Sequence, residues 1–363
     1  MIMKIMHITN NYQPYKGGVV SSIDSFVKAQ QELGHEVMII TFAFQGALNF
    51  DYVKRISGIT FNYKSNPMII PYNISYILKK YINDFQPDVI HLHNPFLLCY
   101  AGLKLAKKNG IKTIFTHHSV YEHYLHYLPF GFDKIKKYYL NERLKKVYKL
   151  VDQVIAPGSF IAKKIEQFKP KAISVLPSPL LDVFSQPPVF NICQKKIKLI
   201  TVARLVPEKN IKYLIDVVAL LSIPYEYTII GTGMLEQSLK DYALAKNVTV
   251  NFTGAVPKEQ IAENYRTNNL FIFASVTETQ GLVIAEALAA GRPVVALEAS
   301  GVEDAVVDGY NGYLVDNQPE FCAKIERLFK DNLLYSSMQQ NAYQSSLKYN
   351  KIELTKKLLS YYR

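Results

Sequence analysis

The sequence predicts an α/β protein built from two successive, doubly wound parallel-sheet domains, and three observations carry that expectation. Short apolar runs alternate with helix-compatible stretches along the whole chain, the pattern of strand, crossover helix and parallel strand. A proline-rich passage, Pro177, Pro179, Pro187 and Pro188, interrupts the alternation and cannot continue either sheet. From Cys193 the alternation restarts. The expected division is a first domain over residues 1–180, a second over residues 190–345, and a helical stretch at 346–363. At 363 residues the chain can bury two full cores, and its 49% hydrophobic and 20% charged content is that of a globular protein.

In the first domain, strand-like runs end at Ile8, Thr41, Leu92, Thr116, Ala156 and Leu176. After the first of them a nicotinamide-binding protein would show GxGxxG, but this chain reads NNYQPYKGGVVSSID from Asn10 to Asp24, so hydride transfer lacks its fingerprint. The run ending at Leu92 reads DVIHLHNPF, and the one ending at Thr116 continues as HHSVYEHYLHYLPF. His117, His118, His123 and His126 fall close together, which invites a zinc site. HExxH and HxxEH are both absent, however, and the neighbours His117 and His118 can hardly face one ion. No metal site is expected.

The second domain has strands expected near Lys198 to Ala203, Tyr227 to Ile230, Val248 to Phe252, Leu270 to Ala274 and Val294 to Leu297. The first ends in Arg204, with Lys209 five residues on; a planar guanidinium and a point-charge ammonium on one loop suit two phosphates. IIGTGML supplies a glycine turn at Gly231. Leu270 to Ala296 is the stretch on which the rest depends. An apolar run is followed by the loop Ser275 to Gly281 and by an Ala/Leu/Glu-rich helix, and α/β proteins place ligands in such a loop at the carboxyl end of a parallel strand. It delivers Glu278 before the helix and Glu286 about one turn inside it, with Gly281 between them. The amides of Gly281, Leu282 and Val283 favour an anion, so a phosphate is expected there and hydroxyls at the glutamates. A sugar nucleotide offers both.

Charge divides the chain. Residues 1–180 hold 23 Lys and Arg against 11 Asp and Glu, whereas 181–363 hold 19 against 19, so the net +12 lies in the first half. Within it, Gly131 to Leu150 carries seven cations against two acids, interleaved with Phe132, Ile135, Tyr138, Tyr139, Leu140, Leu144, Val147 and Tyr148. A basic amphipathic helix of this kind suits an anionic membrane surface; the plainer reading is a helix packed in the core with solvated lysines. No recognised nucleic-acid module accompanies the charge. Cys99, Cys193 and Cys322 form no disulfide framework and no CxxC pair, the opening MIMKIMHITN is too short for a signal peptide, and no uncharged run approaches a spanning helix. A cytoplasmic protein, peripheral on the inner face of the membrane, is expected.

ETQGLVIAEALAAGRPVVA, with its Gly, its second Glu eight residues after the first and the following Gly291 and Pro293, resembles the donor-binding signature of retaining glycosyltransferases of family 4. The resemblance covers nearly the whole chain. It implies the GT-B fold, two Rossmann-like domains facing a cleft, with the terminal helix joined to the first. It also implies that Gly17 and Gly18 close over the diphosphate and sugar, that Arg204 and Lys209 are the phosphate-binding pair, and that FTGAVP cradles the base around Gly254 and Val256. Glu286 is implied at the ribose hydroxyls and Glu278 at those of the transferred sugar. His118 takes the place of the histidine that meets that sugar, while His117 stands where an aromatic is usual and His123 where an Asp is usual. Tyr121, Glu122, Tyr124, His126 and Tyr127 resemble the acceptor-side residues of the branch that glycosylates diacylglycerol lipids. No Asp-x-Asp occurs, so the metal clamp of the other major glycosyltransferase fold has no ligands here, and no cofactor is implied beyond the nucleotide-sugar donor. The expected activity moves a hexose, glucose from UDP-glucose, onto diacylglycerol or another membrane lipid, with retention. The same chemistry on a soluble saccharide or polysaccharide, and a silent sugar-nucleotide-binding protein, are the alternatives.

Overall fold

The structure is a computed structural model, and it describes residues 2–15, 17–63, 66–122, 132–190 and 195–363. The chain divides into two compact units, the first formed by Met1–Pro179 with Lys351–Arg363 and the second by Leu180–Asn350. Pro187 and Pro188 therefore fall inside the second unit.

The first unit runs β1 (Lys4–Ile8), α1 (Gly18–Glu32), β2 (Glu36–Phe42), β3 (Val53–Ile56), β4 (Gly58–Tyr63), β5 (Asn66–Pro71), α2 (Ile74–Phe85), β6 (Val89–Leu92), α3 (Leu97–Lys108), β7 (Lys112–Thr116), α4 (Asp133–Leu150), β8 (Gln153–Ala156), α5 (Ser159–Glu166) and β9 (Ile173–Val175). Seven of these strands form a parallel sheet in the order β3-β2-β1-β6-β7-β8-β9, and β4 and β5 form a separate antiparallel hairpin. Alternation along the strands splits the core. Met6, Ile8 and Phe115 face the side of α3, α4 and α5, with Leu103, Leu144 and Ile161. Ile5, Val89 and Ile114 face the other, with Ile23 and Phe26 of α1 and Leu358 of the terminal helix.

The second unit continues with β10 (Ile197–Val202), α6 (Ile211–Ala219), β11 (Tyr225–Ile230), α7 (Glu236–Ala245), β12 (Asn251–Gly254), α8 (Lys258–Thr267), β13 (Leu270–Phe273), α9 (Leu282–Ala289), β14 (Val294–Leu297), β15 (Gly312–Val315), α10 (Gln318–Lys330) and α11 (Asn332–Ser346). Its six strands are parallel in the order β12-β11-β10-β13-β14-β15. The last helix, α12 (Lys351–Tyr362), packs on α1 of the first unit. In each sheet the winding reverses direction once, beside β1 and beside β10. At that point the connections leave on opposite faces, and a crevice opens at the carboxyl ends of the strands.

Three expectations are corrected. β3, β15 and the β4–β5 hairpin add to the expected strands, and the strand expected at Val248 to Phe252 lies at Asn251–Gly254. Arg292, read only as part of GRPVV, is wholly buried. It donates to the carbonyls of Ala290 (2.9 Å) and Asn268 (2.8 Å) and to that of Val189, holding the proline-rich stretch against the rest of the second unit. Gly291 beside it has φ 70°, and a β-carbon there would crowd Pro188 and Phe190 at 3.1 and 3.0 Å.

Candidate active site

In the second unit the expected donor-side residues lie at the carboxyl ends of four adjacent strands, β12, β11, β10 and β13. The chain leaves β10 through Ala203, and Gly231 passes so close that a β-carbon would sit 1.9 Å from the Ala203 carbonyl oxygen. With φ 140° as well, only glycine fits there. The Gly231 amide donates to the Gly254 carbonyl at 2.9 Å, joining the two glycine turns, and Val256 is half-buried against the core on the α9 face.

The loops after β10 and β13 clasp each other. The Ser275 hydroxyl and the Val276 amide both donate to the Glu208 carbonyl, at 3.3 and 3.2 Å. The Lys209 ammonium pairs with Glu278 and lies 3.4 Å from the Ser275 hydroxyl; the two side chains are 17% and 13% exposed. Shielding from water makes this pair stronger than a surface one. Arg204, by contrast, is exposed and donates to Glu208 at 3.3 Å.

Gly281, φ 68°, precedes α9 as its N-cap and offers no side-chain cap; the Ile284 amide donates to the Gly281 carbonyl at 2.8 Å, which leaves the amides of Gly281, Leu282 and Val283 to face an anion. A β-carbon on Gly281 would press Ile284 at 2.9 Å. Leu282 is half-buried. One turn on, the half-buried Glu286 accepts from the Tyr265 hydroxyl at 3.3 Å. Loss of solvent pushes its carboxyl up to about 7, against the opposing pull of Lys258 and of that hydrogen bond. The region thus presents an amide-lined helix terminus, two basic side chains each paired with a carboxylate, and a third carboxylate that is desolvated.

Sequence reading missed three supports of this arrangement. Tyr265 lies on α8 and carries no motif. Ser275 and the Glu208 carbonyl act through backbone geometry. Gly301 (φ 81°) lets the chain pass Glu278 so closely that a β-carbon would lie 2.4 Å from the Glu278 carbonyl oxygen; a glycine after β14 was the available signal.

In the first unit the expected residues follow β1 and β7. Gly17 and Gly18 are exposed at the uncapped start of α1, and nothing lies within 4 Å of a β-carbon at either. Behind them Tyr12 donates to Asp24 at 2.5 Å and Arg55 donates to the Gln13 carbonyl at 2.9 Å, so the loop is anchored inside and open outside. His118 lies with its Nε2 2.9 Å from Nδ1 of His93, and burial lowers its pKa to about 3, with the His117 charge adding to the effect. His117 is a core residue. It bonds the Tyr148 hydroxyl and meets Phe115 and Tyr121 edge-on at 6.3 and 4.9 Å, so the imidazole packs within a cluster of aromatic rings.

Tyr121 packs against Phe96 and His117, and its buried hydroxyl has no partner among the described residues. Glu122 is neutralised by Lys164 at 3.0 Å. His123, Tyr124, His126 and Tyr127 lie outside the described residues, as does Gly131.

The basic helix is buried along part of its length and exposed along the rest. α4 buries Leu140, Leu144, Val147 and Tyr148 in the core. Its first turns expose Phe132 (82%), Ile135 (60%), Tyr138 (69%) and Tyr139 (49%) beside the exposed Lys134 and Lys137. No helix of the described residues is long and apolar enough to cross a membrane.

Comparison with known proteins agrees with this geometry. The model of Glycosyltransferase Family 4 matches residues 16–180, and that of Glycosyl transferases group 1 matches residues 182–345. The chain is 27% identical to the alpha-monoglucosyldiacylglycerol synthase of Acholeplasma laidlawii, over 96% of this chain and 94% of that protein. It is 28% identical to the enzyme of the same name from Streptococcus pneumoniae, over 81% and 71%. Among solved structures, sucrose-phosphate synthase of Thermosynechococcus elongatus superposes with a TM-score of 0.80 at 18% identity, over 99% of this chain and 98% of that one. HepE of Anabaena, in complex with UDP and glucose, gives 0.76 at 17% identity, over 99% and 98%. The two sheets are those of the GT-B fold.

Proposed function

The chain belongs to glycosyltransferase family 4, and from that premise we propose that it moves glucose from UDP-glucose to a membrane lipid such as diacylglycerol, with retention and without a metal. The observation that carries the donor half is the clasp of Lys209 and Glu278 beside the bare amides of α9. An ammonium has three protons; Glu278 and Ser275 take two, and the third serves a donor phosphate. Arg204 serves the other phosphate, and the Gly281 and Leu282 amides stabilise charge on the leaving diphosphate, as preorganised donors do in place of a metal. Glu286 accepts from the ribose hydroxyls and Glu278 from those of the transferred sugar, while Gly231, Gly254 and Val256 border the base. The family resemblance assigns Gly17 and Gly18 to the diphosphate and His118 to the transferred sugar. A donor phosphate oxygen takes the acceptor proton as the new bond forms on the face the diphosphate leaves.

The lipid half rests on α4, whose exposed aromatic stripe between lysines suits an anionic interface. Two proteins named as alpha-monoglucosyldiacylglycerol synthases among its relatives support the same acceptor.

The test is transfer of radiolabelled glucose from UDP-glucose by the full-length protein to vesicles of phosphatidylglycerol and diacylglycerol. Labelled glycolipid is expected, with turnover reduced about 10²-fold or more in Glu286→Ala. The pair Ile135→Ser and Tyr138→Ser should weaken vesicle binding about 10-fold and leave donor hydrolysis unchanged. Hydrolysis indifferent to vesicles, with transfer to a soluble saccharide, would replace the lipid acceptor, and UDP binding without either reaction would leave a binding protein.

A further inference from the structure

Beneath His118 the first unit buries a run of polar side chains that transfer chemistry leaves unused. β1 and β6 pair His7 with His91 in register, and His93 lies two residues further on the same face. The three are 0%, 1% and 3% exposed. Around them the face is apolar, formed by Ile5, Val89, Ile114 and the helices α1 and α12. Their ligand atoms lie within 4.8 Å of one another, as a metal trio would require. All six ring nitrogens, however, already bond protein groups, so an ion would have to break those bonds.

The bonds form one continuous chain. His118 Nε2 meets His93 Nδ1 at 2.9 Å, and His93 Nε2 meets His7 Nδ1 at 2.9 Å. His7 Nε2 meets the Gln30 amide oxygen at 2.8 Å, and the Gln30 amide nitrogen meets the Tyr362 hydroxyl at 3.3 Å. That hydroxyl meets His91 Nδ1 at 2.7 Å, and His91 Nε2 meets the Thr116 hydroxyl at 2.7 Å. Burial keeps these imidazoles neutral: His7 is lowered to about 4, His118 to about 3, and His91 and His93 well below their ordinary value.

A neutral imidazole has one donor and one acceptor, so a single assignment fixes all the others. The Gln30 oxygen faces His7, which must donate from Nε2 and accept at Nδ1. His93 then donates from Nε2 and accepts at Nδ1, and His118 donates from Nε2. In the other direction Gln30 donates to Tyr362, Tyr362 to His91, and His91 to Thr116. Every bond runs the same way, and turning the Gln30 amide over would reverse them all.

We propose that His93, His7, Gln30 and Tyr362 are positioning residues for His118: their one-way hydrogen-bonded chain fixes it as the Nε2–H tautomer, with Nδ1 the acceptor, and ties the aim of its ring to the docking of α12. The catalytic part of this rests on the reading that His118 serves the transferred sugar. An imidazole held by a hydrogen bond at its far nitrogen presents one defined polarity to a hydroxyl, and loss of such a partner characteristically reduces activity 10–100-fold.

The test uses full-length protein with ¹⁵N-labelled histidine and long-range ¹H–¹⁵N correlation, beside transfer from UDP-glucose. Wild type is expected to show His118, His93, His7 and His91 all protonated at Nε2. His93→Leu should leave His118 a mixture of tautomers and lower kcat about 10–100-fold, with the donor KM within about threefold. His93→Gln, which supplies one acceptor and one donor, should restore both. Should His93→Leu not fold, Tyr362→Phe carries the test; it removes the partner that orients Gln30, so the His118 signal should divide between tautomers. A wild-type His118 protonated at Nδ1, a tautomer unmoved by either substitution, or an unchanged kcat where the tautomer is lost would overturn the proposal. Absence of transfer in every protein would count against the transfer reading, and the spectra would still decide the chain.

Discussion

Polar chemistry is handled in opposite ways in the two units. At the carboxyl ends of β10 and β13 the polar side chains lie in ion pairs or near solvent, with Lys209 on Glu278, Arg204 on Glu208 and the Glu286 carboxyl pushed up to about 7 by loss of solvent. Beneath β1 and β6 they are sunk into the interior and held neutral by hydrogen bonds to one another. Charges at a rim can respond to an arriving ion. Neutral groups in the core can only transmit geometry, because charging any of them there is costly.

Substitution can break this contrast at its most sensitive point. Gly301→Ala adds no charge to the donor side, yet its β-carbon would lie 2.4 Å from the Glu278 carbonyl oxygen. It is expected to lower transfer from UDP-glucose by about 10²-fold through displacement of that carboxylate, while the histidine resonances of the first unit stay in place.

Acid sharpens it next. His117 has a folded pKa of about 3 and His118 likewise, with desolvation the main cause, and His7 about 4. Depressed folded values mean that their contribution is whole above the unfolded value of about 6.5 and is lost as pH falls toward 3–4. Unfolding free energy measured by denaturant should therefore decline from pH 6.5 downward, by about 1.4 kcal/mol per pH unit for each extra proton bound by the unfolded chain. His117→Phe should flatten that decline by about one proton. At neutral pH it should cost about 1–2 kcal/mol, because the Tyr148 hydroxyl loses its partner.

Glu286 acts over a higher pH range and with the opposite sign. Its folded pKa of about 7 is raised, so its contribution is present below the unfolded value near 4.5 and is lost as pH rises through 7. Glu286→Gln should be more stable than wild type at pH 8, by about 2 kcal/mol after discounting for partial exposure, and equal to it at pH 4. Thermal melts at the two pH values read this directly.

The two regions also differed in how far they could be read from sequence. The cluster at the carboxyl ends of β10 and β13 was legible as a cluster because it is local: Arg204 and Lys209 share one loop, and Glu278, Gly281 and Glu286 share one turn and helix. What escaped there came from other elements, such as Tyr265 and Gly301. The histidine chain was not legible, since His7 and His91 become neighbours only through the pairing of two strands more than 80 residues apart. Each, met singly in an apolar run, reads as an ordinary core residue. The sheets were legible at their centres and least so at their edges. β3 contains Lys54 and Arg55, and an edge strand has one neighbour instead of two, which relaxes the demand for a continuous apolar run. The core-packed half of α4 was legible from its apolar spacing, and its first turns differ because Ile135, Tyr138 and Tyr139 there are exposed.

The first unit is assembled from two stretches of chain, and Tyr362, which bonds Gln30 and His91, belongs to the later one. On a ribosome adding about 5–20 residues per second, the tract from Leu180 to Asn350 separates them by about 10–30 s. During that interval the second unit becomes complete in sequence while the first still lacks α12. Until α12 is made, His91 and Gln30 lack the Tyr362 hydroxyl that bonds them both. The part of the molecule translated first is thus the last to be closed.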